Sequence, residues 1–98
     1  MTIEIKNKGT VTEIELTGRL DTSTAPVLDK TILDEVSENA NLILDLKELE
    51  YISSAGLRVL LSAQKRMHKR GSMKLRNVCE EVMDVFEMTG FADILEIE

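Results

Sequence analysis

The spacing of apolar residues switches back and forth along this chain, and that switching limits its architecture more than any other feature. Ile3 and Ile5 alternate with Glu4 and Lys6, and Val11 to Leu16 alternates again, the two-residue period of strands with one covered face. Asn7-Lys8-Gly9 supplies a turn between them, and Gly18 is expected to end the second strand. From Ala25 the spacing lengthens. Ala25, Leu28, Ile32 and Val36 fall at helical intervals, with Leu33 widening the stripe. Asp21-Thr22-Ser23 just ahead offers side-chain oxygens as helix caps. Leu42-Ile43-Leu44 is apolar without alternation, which predicts a strand covered on both sides. A second helix is predicted from about Ser54 to Arg70, with Leu57, Leu60, Leu61 and Gln64 marking one face and Gly71 as its stop. Met73 and Leu75 alternate with Lys74 and Arg76 as a fourth strand. Val82, Val85, Phe86 and Met88 mark a third helix closed by Gly90, after which Phe91, Ile94 and Leu95 pack down.

Two paired strands followed by helix, strand, helix, strand, helix make an α/β domain. Strand-helix-strand units form right-handed parallel crossovers, so the sheet is mixed: antiparallel at the first hairpin, parallel after it, with four to five strands and packed helices. Residues 1–98 form one domain, near the size at which a single core becomes self-supporting. In open α/β sheets, functional groups collect beyond the carboxyl ends of the strands. Those ends carry Asp21, the run from Asp45 to Ser54, and Asn77, and the three are expected to converge on one edge.

Composition narrows the function. With 43% hydrophobic residues, two Phe, one Tyr and no Trp, the core must be aliphatic. A net charge of −6 argues against nucleic acid as a partner, because such binding is driven by neutralising phosphates. Cys79 is the only cysteine, so no internal disulfide forms and a reducing, cytoplasmic setting is expected. The chain opens on an alternating strand, so no signal peptide is expected, and no apolar run is long enough to span a bilayer. No His/Cys cluster offers a metal site, and no glycine loop cradles a phosphate-bearing cofactor. An enzyme built on Ser54 would need a base, but the only histidine, His68, lies on the same predicted helix about 21 Å away. Cys79, followed by Glu80 and Glu81, is read as a small half-buried residue and not as an activated thiolate. The run from Lys65 to Arg70 is read as the solvated, dipole-matched end of a helix. The expectation is a monomeric binding protein with no catalytic residue, no metal and no cofactor, and with no nucleic-acid or membrane partner.

The informative segment is Tyr51-Ile52-Ser53-Ser54-Ala55-Gly56-Leu57-Arg58-Val59-Leu60-Leu61, where a strand feeds a short polar turn and a helix begins at once. Ser54 falls at or beside the N-cap, where a hydroxyl can accept from unpaired backbone N–H groups. The same place suits a phosphate, since those groups and the helix dipole favour an anion. Local chemistry leaves both readings open, a plain capping serine or a phosphate seat. Ala55 and Gly56 are small, and are expected to leave the serine uncovered for a docking partner.

This segment resembles the STAS domains of anti-sigma factor antagonists, which carry a strand, an Asp-Ser-x-Gly-Leu turn and a helix beginning in the turn. Ile52 to Leu57 matches that pattern with Ser53 in place of the Asp. The resemblance extends to Gly18-Arg19-Leu20-Asp21, to Ala25-Pro26-Val27-Leu28, to Leu75-Arg76-Asn77-Val78 and to Phe86-Glu87-Met88-Thr89-Gly90-Phe91. It implies that Ser54 is phosphorylated by a partner anti-sigma factor, a serine kinase of the histidine-kinase-like ATPase type, with Ser53 as the runner-up acceptor. It implies that the unphosphorylated form binds that kinase and frees a sigma factor, and that a serine phosphatase restores it. The docking surface implied comprises Asp21, Thr22, Ser53, Ala55, Gly56, Arg58 and Asn77, with helix capping the other reading of Asp21 and a turn role the other reading of Asn77. STAS domains also serve as non-phosphorylated interaction modules of transporters or other signalling complexes, which is the alternative function.

Overall fold

A computed structural model of the chain describes residues 1–35 and 41–98. The strands are β1 (Thr2–Lys8), β2 (Val11–Leu20), β3 (Asn41–Ile52) and β4 (Ser72–Arg76). The helices are α1 (Ala25–Glu35), α2 (Ser54–Arg70) and α3 (Glu80–Thr89), with one further 3₁₀ turn at Phe91–Asp93. The sheet order is β1-β2-β3-β4, antiparallel between β1 and β2 and parallel from there on. Beyond β4, Ile97 forms an isolated parallel bridge to Leu75, so the sheet has four strands among the described residues. The mixed α/β sheet read from the periodicities is therefore present. Val36, assigned to the first helix, lies outside the described residues.

Period-two alternation sorts the side chains of each strand between two faces. Ile14 and Leu16 of β2, Leu42 and Leu44 of β3, and Met73 and Leu75 of β4 share one face and are buried. Leu28 and Ile32 of α1 join the same core, as do Leu60, Ala63 and Met67 of α2. The opposite face is polar. It carries Glu13, which pairs with Lys8 at 3.2 Å and with Arg76 at 3.9 Å. Ile43 belongs to that face and is only half-buried, so β3 is covered on one side here and not on both. Three consecutive apolar residues cannot distinguish a two-sided strand from a one-sided strand with a single apolar residue facing out.

Other expectations shift for similar reasons. The hairpin turn is Gly9-Thr10, with Lys8 opposite Val11; Asn7 and Lys8 belong to β1. Gly9 has φ +69, the left-handed value a tight hairpin loop needs. Gly18 does not end β2. The strand continues to Leu20 through two register shifts, and Gly18 takes up one of them at φ +103, where a side chain would be strained. Along α2 the buried positions are Gly56, Leu57, Leu60, Ala63 and Met67, while Leu61 and Gln64 flank that face. Leu33, Met88 and Ile94 are turned to solvent, with Met88 86% exposed. A helix has room for one covered stripe, and Leu33 and Met88 lie off it, while Ile94 follows the 3₁₀ turn.

Candidate functional site

At its carboxyl end β2 hands the chain to α1, and β3 hands it to α2, side by side. The Ser53 N–H donates to the Leu20 carbonyl at 2.9 Å, which fastens the two turns together. Asp21 organises the first of them. Its Oδ1 accepts from the Ser23 N–H at 3.0 Å, the Ser23 hydroxyl at 2.8 Å and the Thr24 N–H at 3.1 Å. In return the Asp21 N–H donates to Thr24 Oγ1 at 2.8 Å, and the Thr24 hydroxyl donates to the Arg19 carbonyl at 2.9 Å. This reciprocal pairing is the logic of a capping box, and it launches α1 with the Ala25 N–H on the Asp21 carbonyl at 2.8 Å. The Ser23 hydroxyl first, and the Thr24 N–H next, hold the Asp21 carboxyl below its ordinary value of 3.8, because each stabilises the charged form.

At the second turn the two serines divide the work. Ser53 is the N-cap, with φ −94 and ψ 174, and its Oγ accepts from the Gly56 N–H at 3.3 Å. Ser54 is the first helical residue and is exposed. Of the two positions expected for Ser54, at or beside the N-cap, the structure has the second: the capping hydroxyl is that of Ser53. No acidic residue occupies the first turn of α2, while His68, Lys69 and Arg70 fill its last turn. Gly56 is buried. A Cβ there would stand 2.7 Å from Leu20 Cγ and 3.0 Å from Ile52 Cγ1. Its smallness serves close packing of α2 on the strand ends, and it does not belong to the exposed docking surface assigned to it from the sequence.

Thr22, Pro26 and Asp29 from the α1 side and Ala55, Arg58 and Ser62 from α2 line an open depression between the helices. Of the expected docking residues, Thr22, Ala55 and Arg58 meet there, with Asp21 and the two serines at its head. Asn77 does not join them. It sits at φ +57, a value asparagine tolerates better than most residues, and its Nδ2 donates to Asp45 Oδ1 at 3.2 Å. Asp45, itself buried, also accepts from the Lys47 N–H at 3.0 Å. The paired rows from Glu15–Asp45 to Leu20–Ile52 then carry the chain about 16 Å further along β2 before Ser53 is reached. The long β3 therefore divides the expected edge in two.

Sequence reasoning missed Arg19 and Tyr51. They are register partners on β2 and β3, exposed beside the serines, with the Arg19 guanidinium 4.2 Å from the Tyr51 ring centroid. Nothing local signals that pairing, since it depends on the two register shifts. Asp29 and Ser62 were also missed, although each lies one helical turn from a residue named above. Cys79 is half-buried, with its thiol directed to the Leu49 carbonyl at 3.6 Å. Among the described residues no group of His, Cys, Asp and Glu is arranged to hold a metal ion. None of the described helices is long and apolar enough to cross a membrane.

Comparisons with known proteins agree with this geometry. A family model described as the STAS domain matches residues 2–98. The anti-sigma-B factor antagonist of Bacillus subtilis (strain 168) is 31% identical over 96 residues, which are 97% of this chain and 88% of that protein. The anti-sigma-B factor antagonist of Listeria monocytogenes is 35% identical over 101 residues, covering 100% of this chain and 89% of that one. In fold, the chain matches the crystal structure of an anti-sigma factor antagonist from Mycobacterium paratuberculosis with a TM-score of 0.87 at 22% identity, over 98% of this chain and 83% of that one. The chain belongs to the STAS domain family and, within it, to the anti-sigma factor antagonists.

Proposed function

We propose that this protein binds an anti-sigma factor that is also a serine kinase, frees the sigma factor held by it, and is switched off when that kinase phosphorylates Ser54. The observation that carries this reading is the division of labour between the serines: Ser53 caps α2, and Ser54 stands exposed at a helix start with no acidic residue in its first turn. In the transfer, the Ser54 oxygen takes the terminal phosphoryl group of ATP, ADP leaves with the bond that breaks, and the hydroxyl proton passes to a base on the kinase. The added charge of about −1.5 to −2 meets favourable backbone N–H groups at the helix N-terminus, worth about 0.3–1 kcal/mol, so the domain stays folded. The cost falls on the partner interface. A penalty of about 3 kcal/mol there weakens binding roughly a hundredfold, enough for a switch without conformational change. A serine phosphatase returns the protein to its binding state. The protein acts as a cytoplasmic monomer.

The test is incubation with the cognate anti-sigma kinase and ATP, followed by mass-spectrometric mapping. Phosphate on Ser54, its absence in Ser54→Ala, and undiminished kinase binding by that variant are the expected results. Phosphate on Ser53 instead would move the switch by one residue. No phosphoserine at all would leave the non-phosphorylated interaction module of a transporter or other signalling complex as the function.

A further inference from the structure

Ser54 and Arg58 lie one helical turn apart on the exposed surface of α2. Residues at this spacing have Cβ atoms about 6 Å apart, and helical side chains lean toward the N-terminus, so the Arg58 side chain leans over the turn that Ser54 opens. The charged groups around it are otherwise committed. Asp29 across the depression pairs with Arg66 at 4.0 Å, Arg19 is stacked on Tyr51, and the Asp21 carboxylate is held by Ser23 and Thr24. The four ion pairs among the described residues leave out Arg58, although it lines the depression opposite Asp29.

We propose that a phosphate on Ser54 is gripped by Arg58 of the same helix, and that this grip withdraws Arg58 from a partner carboxylate it would otherwise contact at the α1–α2 depression. The inference rests on Ser54 being the phosphorylated residue. Guanidinium and phosphate form paired charge-assisted hydrogen bonds, and the Ser54–Arg58 order places the anion nearer the helix N-terminus, the favourable orientation. Phosphorylation then acts twice on the interface: it adds negative charge near Asp21, and it removes a cation from the docking surface. Without Arg58 the phosphate would keep the backbone N–H groups of the helix start but no side-chain cation of its own helix turn.

The grip can be read without any kinase, on protein made with phosphoserine incorporated at position 54 during translation. Followed by phosphorus NMR, the phosphate of the otherwise wild-type chain should titrate about 0.3 pH unit lower than in Arg58→Gln, with Arg58→Lys between them. Coincident titrations would overturn the grip. Its consequence is read from a thermodynamic cycle of affinities for the cognate anti-sigma kinase. If phosphorylation weakens the wild-type chain about a hundredfold, it should weaken Arg58→Gln only about tenfold, because the arginine contact is already gone. Equal losses in the two backgrounds would overturn the withdrawal of Arg58. A kinase that fails to label Ser54 would remove the proposed switch while leaving the NMR result standing, so the two failures are distinguishable.

Discussion

The start of α2 and the start of α3 are built alike and filled differently. Each follows a strand through a short turn, and each has an extended N-cap: Ser53 for α2 and Cys79 for α3. The third helical position is buried in both, Gly56 in one and Val82 in the other. The first two positions differ. In α3 they are Glu80 and Glu81, so the positive end of that helix already has its anions, and Cys79 makes no side-chain capping bond. In α2 they are Ser54 and Ala55, and the first turn carries no acid. A helix that supplies its own negative charge is finished as a structural element. One that does not leaves its positive end uncompensated by its own first turn, and that is the difference between α3 and α2 within one small domain.

The comparison is most severely tested at Gly56. Gly56→Ala should destabilise the fold by about 1–2 kcal/mol, because overpacking against Leu20 and Ile52 outweighs the better helix propensity of alanine. Urea denaturation checks this, and an unchanged midpoint would mean that α2 can shift outward freely. Ser53→Ala should cost about 0.5–1 kcal/mol, at the low end for a lost cap since the bond to the Gly56 N–H is long at 3.3 Å, while Cys79→Ala should lose no cap at all. A reciprocal exchange sharpens the contrast further. Ser54→Glu should stabilise by about 0.3–1 kcal/mol and Glu80→Ser should destabilise by a similar amount, both fading in high salt.

The smallest effect concerns Asp21, which anchors the turn beside Ser53. Its carboxyl is depressed in the folded state, so its contribution is fully present above its ordinary value of 3.8 and is lost as the pH falls through the lower folded value. Asp21→Asn should therefore lower the denaturation midpoint slightly near neutrality, and the gap to wild type should close in acid. A gap that persisted unchanged at about pH 2 would mean that hydrogen bonding alone, and not charge, sets the role of Asp21.

Much of this was written locally. The order of elements and the limits of α2 at Ser54 and Arg70 follow from hydrophobic period and turn chemistry, which depend on neighbours in the chain, and the mixed α/β sheet follows from that order. What the tertiary structure decided is which surface each pattern turns inward. Ile43 looks like its neighbours in sequence yet faces the polar side, and Leu33, Met88 and Ile94 are exposed among the described residues. Two adjacent serines are equivalent to any local rule. In the folded chain the Ser53 N–H is tied to Leu20 of the neighbouring β2, Ser53 is the cap and Ser54 is the first helical residue. Likewise β4 stops opposite Asp45 while β2 and β3 run on together, which leaves Asn77 away from the site, and the register shifts between β2 and β3 bring Arg19 onto Tyr51. Periodicity is a property of the chain alone, whereas exposure depends on what lies opposite, and that is settled only when the sheet and helices close on one another.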